Sequence, residues 1–374
     1  MTTPQTGYGD STRCVRAGVG PAVPGEPFLP GPVMAAPYHL SPDEGSEPHF
    51  YARASNPGWE GLEAALAELE GDGTPGTQAT VTGAGMAAIT VLLRAVLRSG
   101  DVLVLPSDGY YQVRAYAAER LASWGVVVRE VPTPRMADEL DGARLVLAET
   151  PSNPGLDVVD LRAVAAAAHA TGALLAVDNT TATPLGQLPL GLGADVVVAS
   201  GTKALSGHSD LLMGYVATAD PELHAAVGRE RLLSGSVLGP FETWLAHRSL
   251  GSAALRIDRQ CATAAALVEA LDGHPGVHGL RWPGLSSDPS HAVAAAQMRR
   301  FGGVLRFELA SAEAVHAFVA ASSLVSAATS FGGLHTTADR RARWGDAVPP
   351  GFVRLSCGIE DTADVVRDVL AALG

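Results

Sequence analysis

Between Trp59 and about Thr218 the apolar positions of this chain follow two periods in turn. The stretches EGLEAALAELEG (60–71) and GAGMAAITVLLRAVLRSG (83–100) repeat apolar residues at three- and four-residue spacing and stop at glycine, which predicts helices. QVRAYAAERLASWG (112–125) and LRAVAAAAHATG (161–172) read the same way. Between them lie near-continuous apolar runs: DVLVLPSD (101–108), GVVVREVP (125–132), ARLVLAETPSNP (143–154), ALLAVDNT (173–180) and ADVVVAS (194–200). Strands without polar alternation are buried on both faces, so strand–helix alternation of this kind predicts a mostly parallel sheet with helices on both sides.

The flanks differ. Residues 1–55 are rich in Pro and Gly and read as an extended N-terminal arm. From Phe241 a long helical stretch leads to GVLRFEL (303–309), GFVRLSCGI (351–359) and a terminal helix TADVVRDVLAAL (362–373). The expected organisation is therefore an arm (1–55), a large α/β domain (56–240) and a smaller α+β domain (241–374), which suits 374 residues. A formal charge of −13 argues against nucleic acid or an anionic membrane as partner. The three cysteines, Cys14, Cys261 and Cys357, form no cluster, so neither a disulfide framework nor a zinc site is expected, and no metal is assigned. The first residues lack an apolar signal-like core, and no apolar run approaches the roughly 20 residues of a membrane helix. A soluble cytoplasmic protein is the expectation.

In open α/β sheets ligands collect at the carboxyl ends of strands. Three such ends here are polar at once: Glu149-Thr150-Pro151-Ser152-Asn153, Asp178-Asn179-Thr180 and Ser200-Gly201-Thr202-Lys203. Lys203 is the only lysine in the chain, and it sits among Ser, Gly, Thr and Ala. A chain that uses arginine everywhere else and keeps one lysine among small residues points to chemistry arginine cannot do. A pyridoxal phosphate site needs an amine, a carboxylate for the ring nitrogen, donors for a phosphate and an aromatic face. Lys203 supplies the amine, and Asp178, ending an apolar strand, supplies the carboxylate. Gly83, Gly85 and Met86 lie at a strand-to-helix turn suited to an anion, with hydroxyls from Ser200 and Thr202. The same turn, Gly83-x-Gly85-x-x-Ala88 with Asp108 beyond, also fits a dinucleotide fingerprint, and an NAD-dependent oxidoreductase is the rival class. That rival gives Lys203 and Asp178 no task.

The segments AETPSNPGLDVVDL (148–161), AVDNTTATPLGQLPLGLGADVVVASGTKALSGHSDLLMGYV (176–216), SVLGPFETWLAHRSL (236–250) and FVRLSCGIED (352–361) resemble the Cys/Met-metabolism family of pyridoxal-phosphate enzymes. Within it, GYYQVRAY (109–116) and ATSFGGLHTTADRRARWGDAVPPGF (328–352) are most similar to actinobacterial-type cystathionine γ-lyases. The resemblance covers nearly the whole chain and implies the fold-type I, PLP-dependent transferase-like architecture. It implies Lys203 as the Schiff-base lysine, Asp178 at the pyridine nitrogen, and Gly85, Met86, Ser200 and Thr202 around the phosphate. Tyr110 would stack on the ring, with Tyr111 an open alternative, and Asn153 would contact the ring hydroxyl. Arg354 would clamp the substrate α-carboxylate, with Ser323 and Tyr110 also on the substrate. Tyr51 and Arg53, in FYARASNP, would reach the phosphate of a neighbouring subunit in a homotetramer built from dimers. His208 reads as structural.

Three departures stand out. Ala84 replaces a frequent serine, Gly58-Trp59 follows Asn56-Pro57, and no acid lies between Glu313 and Asp339, where cystathionine-handling relatives often carry a carboxylate. The implied reaction is γ-elimination from a γ-substituted L-amino acid, with Lys203, Asp178 and Tyr110 catalytic, giving a 2-oxo acid and ammonia. The same residues also serve γ-replacement or β-elimination, as in cystathionine γ-synthase, cystathionine β-lyase or methionine γ-lyase. They serve equally a γ-substituted substrate of specialised metabolism with an uncharged or halogen leaving group.

Overall fold

The computed structural model describes residues 7–42 and 47–374. The apolar runs assemble into a seven-stranded sheet of β1 (Gln78–Thr82), β2 (Val102–Pro106), β3 (Val127–Val131), β4 (Ala143–Glu149), β5 (Leu174–Asp178), β6 (Val196–Ala199) and β7 (Gly214–Thr218). Their order is β1-β7-β6-β5-β4-β2-β3; from β6 to β3 neighbours run parallel, and β7 is antiparallel to both of its neighbours. Both faces are covered, which explains why the strands show no polar alternation. Val196 and Val198 pack into a layer with helices Gly85–Val96 and Pro221–Ser234, while Val197 and Ala199 pack oppositely against helix Pro57–Glu70. Each such valine contributes on the order of 1.5–3 kcal/mol by leaving water.

A second, five-stranded sheet has the order β10 (Ser326–Ala327), β11 (Thr337–Arg340), β12 (Phe352–Ser356), β9 (Val304–Glu308), β8 (His278–Arg281). It is antiparallel apart from the short β10–β11 pair and packs on helices Ala253–Leu271, Ala312–Ala321 and Thr362–Leu373. The fold is thus α/β with a mostly parallel central sheet and a second, smaller sheet unit. Helix Ala253–Leu271 joins the two: Ala253, Ala254 and Ile257 enter the core of the first sheet, and Ala264, Leu267, Val268 and Leu271 that of the second. Among the described residues no helix is long and apolar enough to cross a membrane.

Three local features differ from the sequence reading. The stretch expected as an extended arm contains a helix, Asp10–Arg16, docked by Arg13 on Asp72 (2.9 Å) and by Arg300 on Asp10 (2.5 Å). The helix expected over 112–125 is α-helical only from Tyr111 to Tyr116. It then widens into a π turn and tightens into a 3₁₀ turn before the left-handed Gly125. Strand β7, directly after the lysine loop, is not distinguished from it by the apolar pattern, whereas β1 is the strand expected before the turn at Gly83, Gly85 and Met86.

One buried acid lies behind the sheet. Glu70, fully buried at the end of its helix, accepts the Tyr215 hydroxyl (2.6 Å) on Oε1, while Oε2 has no partner. Burial pushes its carboxyl from the ordinary 4.5 up to about 7, against the opposing effect of the Tyr215 hydrogen bond. Because the folded state holds this proton more tightly than the unfolded one, the stabilisation is complete below the ordinary value. It is lost as pH rises through about 7. Glu70→Gln is expected to lack that decline, and so to exceed the parent at alkaline pH by on the order of 3 kcal/mol in urea unfolding. An unchanged pH slope in the variant would contradict the assignment.

Candidate active site

Strands β4 and β5 pair in parallel with Glu149 opposite Asp178, and β6 lies beside β5, so the three polar strand ends are brought to one edge. There they line a cavity of about 210 Å3 with Gly85, Met86, Tyr110, Asn153, Lys203 and Arg354. Lys203 Nζ donates to Ser330 Oγ (2.8 Å) and lies 5.5 Å from the centre of the Phe331 ring. Burial first, then the Arg354 and Arg341 charges, push the lysine down to about 8, with Asp178 opposing. The loop that carries it is tied down by Arg256, which donates to the carbonyls of Ala204 (2.8 Å), Leu205 and Ser249 (both 2.9 Å).

Asp178 and Glu149 are buried side by side. Burial raises both carboxyls above their ordinary range, and each other's proximity raises that of Glu149 further. Glu149 is held by two backbone donors, the N–H of Tyr110 (2.7 Å) and that of Asn153 (2.8 Å). Asp178 accepts the Thr180 N–H (3.0 Å) and forms no ion pair within 4.0 Å. A buried carboxylate without a cation is costly, and a protonated ring nitrogen is the partner it lacks.

The phosphate end fits as well. Helix Gly85–Val96 starts at Ala84 with no side-chain cap, leaving first-turn N–H groups for an anion. Gly85 is closed against Ser200, where an added Cβ would lie 2.5 Å from the serine Cβ, so only glycine admits the approach. Amine, carboxylate, uncapped helix and Tyr110 together make a site suited to pyridoxal phosphate. Lys203 would hold the cofactor covalently, Asp178 its ring nitrogen, and Gly85, Met86 and Ser200 its phosphate.

Not every expected residue stands where the sequence reading put it. Tyr110 lines the cavity and Tyr111 does not; Tyr111 packs edge-on behind Tyr110 (5.2 Å between centroids). Thr202 lines the cavity, but its hydroxyl is engaged, donating to the Met213 carbonyl (3.1 Å) and accepting the Met213 N–H (2.9 Å). A free phosphate donor from Thr202 is therefore corrected to a loop-bracing hydroxyl. Ser323 is corrected too: it is exposed after helix Ala312–Ala321, its N–H bound to Asp368 (2.9 Å) and its side chain outside the cavity. The serine in the site is Ser330, seven residues on. Tyr51 is 43% exposed and Arg53 stacks over it, donating to the Leu232 carbonyl, and neither lines the cavity of its own chain. His208 bonds the Ser206 carbonyl (2.5 Å) away from the cavity.

Sequence reasoning gave no role to Glu149, Ser330, Phe331 or Arg341, all of which line the cavity. Ser330 takes a left-handed backbone (φ 74) that serine seldom adopts, directing its hydroxyl to Lys203 and its carbonyl to Arg354. The one trace in the sequence is the Gly332-Gly333 pair that follows it.

Fold and site together define an enzyme that uses pyridoxal 5'-phosphate. The chain belongs to the Cys/Met metabolism family of PLP-dependent enzymes, whose pattern it matches over residues 35–374. It is 54% identical over 368 residues to a Streptomyces coelicolor protein named "Putative cystathionine gamma-lyase", covering 98% of this chain and 93% of that one. It is 38% identical to the L-methionine gamma-lyase of Pseudomonas deceptionensis, over 87% of this chain and 85% of the relative. Among solved structures, metB from Corynebacterium glutamicum superposes with a TM-score of 0.94 at 35% identity, covering 100% of this chain and 99% of that chain. CalE6, a methionine gamma lyase from Micromonospora echinospora, does so at 0.91 and 36%, covering 99% and 100%.

Lys203→Arg keeps the positive charge and removes the amine, so the variant is expected to lose covalently held cofactor and all turnover. In the apoprotein, covalent uptake needs the neutral amine. Its rate is therefore expected to climb with pH up to about 8 and then level off. A rate still climbing at about pH 10 would show an ordinary lysine.

Proposed function

We propose that the protein is a PLP-dependent lyase of the cystathionine γ-lyase type, removing the γ-substituent of an L-amino acid. The observation that carries this reading is one cavity that brings Lys203, Asp178, Tyr110 and Arg354 together, supported by the 54% identical relative. The cofactor supplies an electron sink that makes the substrate's Cα and Cβ protons acidic. Arg354, 2% exposed, holds the α-carboxylate by its planar fork. Asp178 keeps a fixed negative charge at the ring nitrogen. Lys203 Nζ would take the proton from Cα and then from Cβ, with Ser330 Oγ in hydrogen-bond reach to steer it. The γ-substituent leaves with a proton from Tyr110 or Lys203. For L-cystathionine and one water the products balance as cysteine, 2-oxobutanoate and ammonia.

A second reading keeps the chemistry and changes the substrate. Leu212, Thr329, Ser330 and Phe331 form part of the cavity wall and, unlike Glu149 and Asp178 at the strand ends, offer no carboxylate to meet a distal ammonium. An uncharged γ-substituent suits that wall. γ-Replacement and β-elimination use the same groups.

We also assign the working form as a cytoplasmic homotetramer of dimers with shared sites. The exposed Tyr51–Arg53 pair, outside its own cavity, supports completion of a neighbour's phosphate site, and three free cysteines suit a reducing compartment.

Incubation with L-cystathionine is expected to release 2-oxobutanoate. Pyruvate in its place would contradict γ-elimination. Intact cystathionine together with turnover of L-methionine would move the assignment to the uncharged leaving group. Arg53→Ala is expected to weaken cofactor retention, and unchanged retention would contradict the shared site.

A further inference from the structure

The clamp residue Arg354 is not free to turn. On β12 it lies directly across the ladder from Asp339 on β11, and its Nη2 donates to Asp339 Oδ2 (3.1 Å) and to the Ser330 carbonyl (2.9 Å). Its Nη1 donates to Asn153 Oδ1 (2.5 Å). A guanidinium has five N–H groups. These three bonds leave one on Nη1 and the one on Nε, and Nε is buried with no partner. The residue lines the cavity, so its unspent donors are available to a group that enters.

Asp339 is itself held from two further sides. Its Oδ2 also accepts Arg341 Nη1 (2.9 Å), and its Oδ1 accepts the Trp344 indole N–H (2.9 Å). Arg341 is in turn fixed by Asp346 through Nε (2.7 Å). Asp339, Arg341, Asp346 and Arg354 are all buried, at 8% exposure or less. Two guanidinium groups and two carboxylates balance in charge. Beyond the charge of Arg354 and Arg341 felt by Lys203, the cluster adds direction to the cavity. It fixes the plane and rotation of a fork whose value depends on both. The turn 341–344 and Asp346 form a strut running from the surface to the clamp.

We propose that Asp339 is a positioning residue for substrate binding: braced by Trp344 and Arg341, it holds the Arg354 guanidinium in the orientation that meets the substrate α-carboxylate. This rests on the reading of Arg354 as the carboxylate clamp. The consequence is selective. Releasing Asp339 weakens ligands that carry an α-carboxylate and leaves the bare amine alone, whereas a merely structural ion cluster would affect both or neither.

The test uses the holoenzyme and two probes that differ only in the carboxylate, L-alanine and ethylamine, titrated by the change they cause in the bound cofactor's visible absorbance. Asp339→Asn is expected to weaken L-alanine by on the order of 10- to 100-fold, as for a misplaced binding group, with ethylamine unchanged. Equal weakening of both probes, or unchanged L-alanine affinity, overturns the proposal. Trp344→Phe, at a residue 39% exposed, removes one brace without unpairing a buried charge and decides the matter where Asp339→Asn does not fold. It is expected to give a smaller loss confined to L-alanine, and no loss overturns the proposal. Arg354→Ala separates the two readings: unchanged L-alanine affinity there removes the clamp itself. A loss there with none in Asp339→Asn removes only the positioning role.

Discussion

Two carboxylates buried side by side at the ends of adjacent parallel strands are the constraint on which the rest of this site depends. The in-register pairing of β4 and β5 places Glu149 beside Asp178, both largely buried at the cavity floor. Each needs compensation, and the two receive different kinds. Glu149 is satisfied by the N–H groups of Tyr110 and Asn153, and so fixes the backbone that carries these two cavity residues. Asp178 accepts the Thr180 N–H and feels the Lys203 charge without a direct ion pair, an arrangement that would suit a cationic ring nitrogen. One of the pair organises the protein, and the other keeps its carboxylate directed at the cavity.

The same division recurs around the pocket. Basic groups facing it are held by contacts that do not consume their useful atoms. Arg256, outside the cavity lining, pins the loop after Lys203 by the carbonyls of Ala204 and Leu205 and ties it to that of Ser249. Arg354 gives three N–H groups to the protein and keeps others for the cavity. Ser330 accepts a strained backbone and thereby serves Lys203 and Arg354 at once. Such strain and burial lower stability locally and are sustained by the two packed cores that helix Ala253–Leu271 joins. A rigid scaffold with a few unsatisfied atoms is what preorganised binding requires.

How much of this was readable in the chain follows from the range of the interactions involved. The parallel sheet was legible because both faces are covered, which makes β2, β4, β5 and β6 continuous apolar runs. Lys203 was legible because no other lysine competes with it, and Asp178 because it ends such a run. Glu149 was visible as a polar strand end, but its role depends on the register with β5, which no local pattern encodes. Ser330 and Ser323 differ only in how the chain between β10 and β11 folds back onto the lysine loop, a long-range matter, and Ser323 fell on the wrong side of it. Thr202 lies at the cavity, while its hydroxyl's engagement with Met213, eleven residues on, depends on how the lysine loop folds back. Tyr110 and Tyr111 part at the helix start: Tyr110 is the non-helical residue before it and lines the cavity, while Tyr111 is the first helical residue and does not.

The account stands on Lys203 as the covalent anchor of the cofactor. Reduction of the holoenzyme with borohydride, followed by mass spectrometry of its peptides, tests this directly. The account predicts the cofactor's mass on the single peptide containing Lys203, stable to denaturation. Cofactor released from the reduced, unfolded chain, with the Lys203 peptide at its unmodified mass, would contradict it.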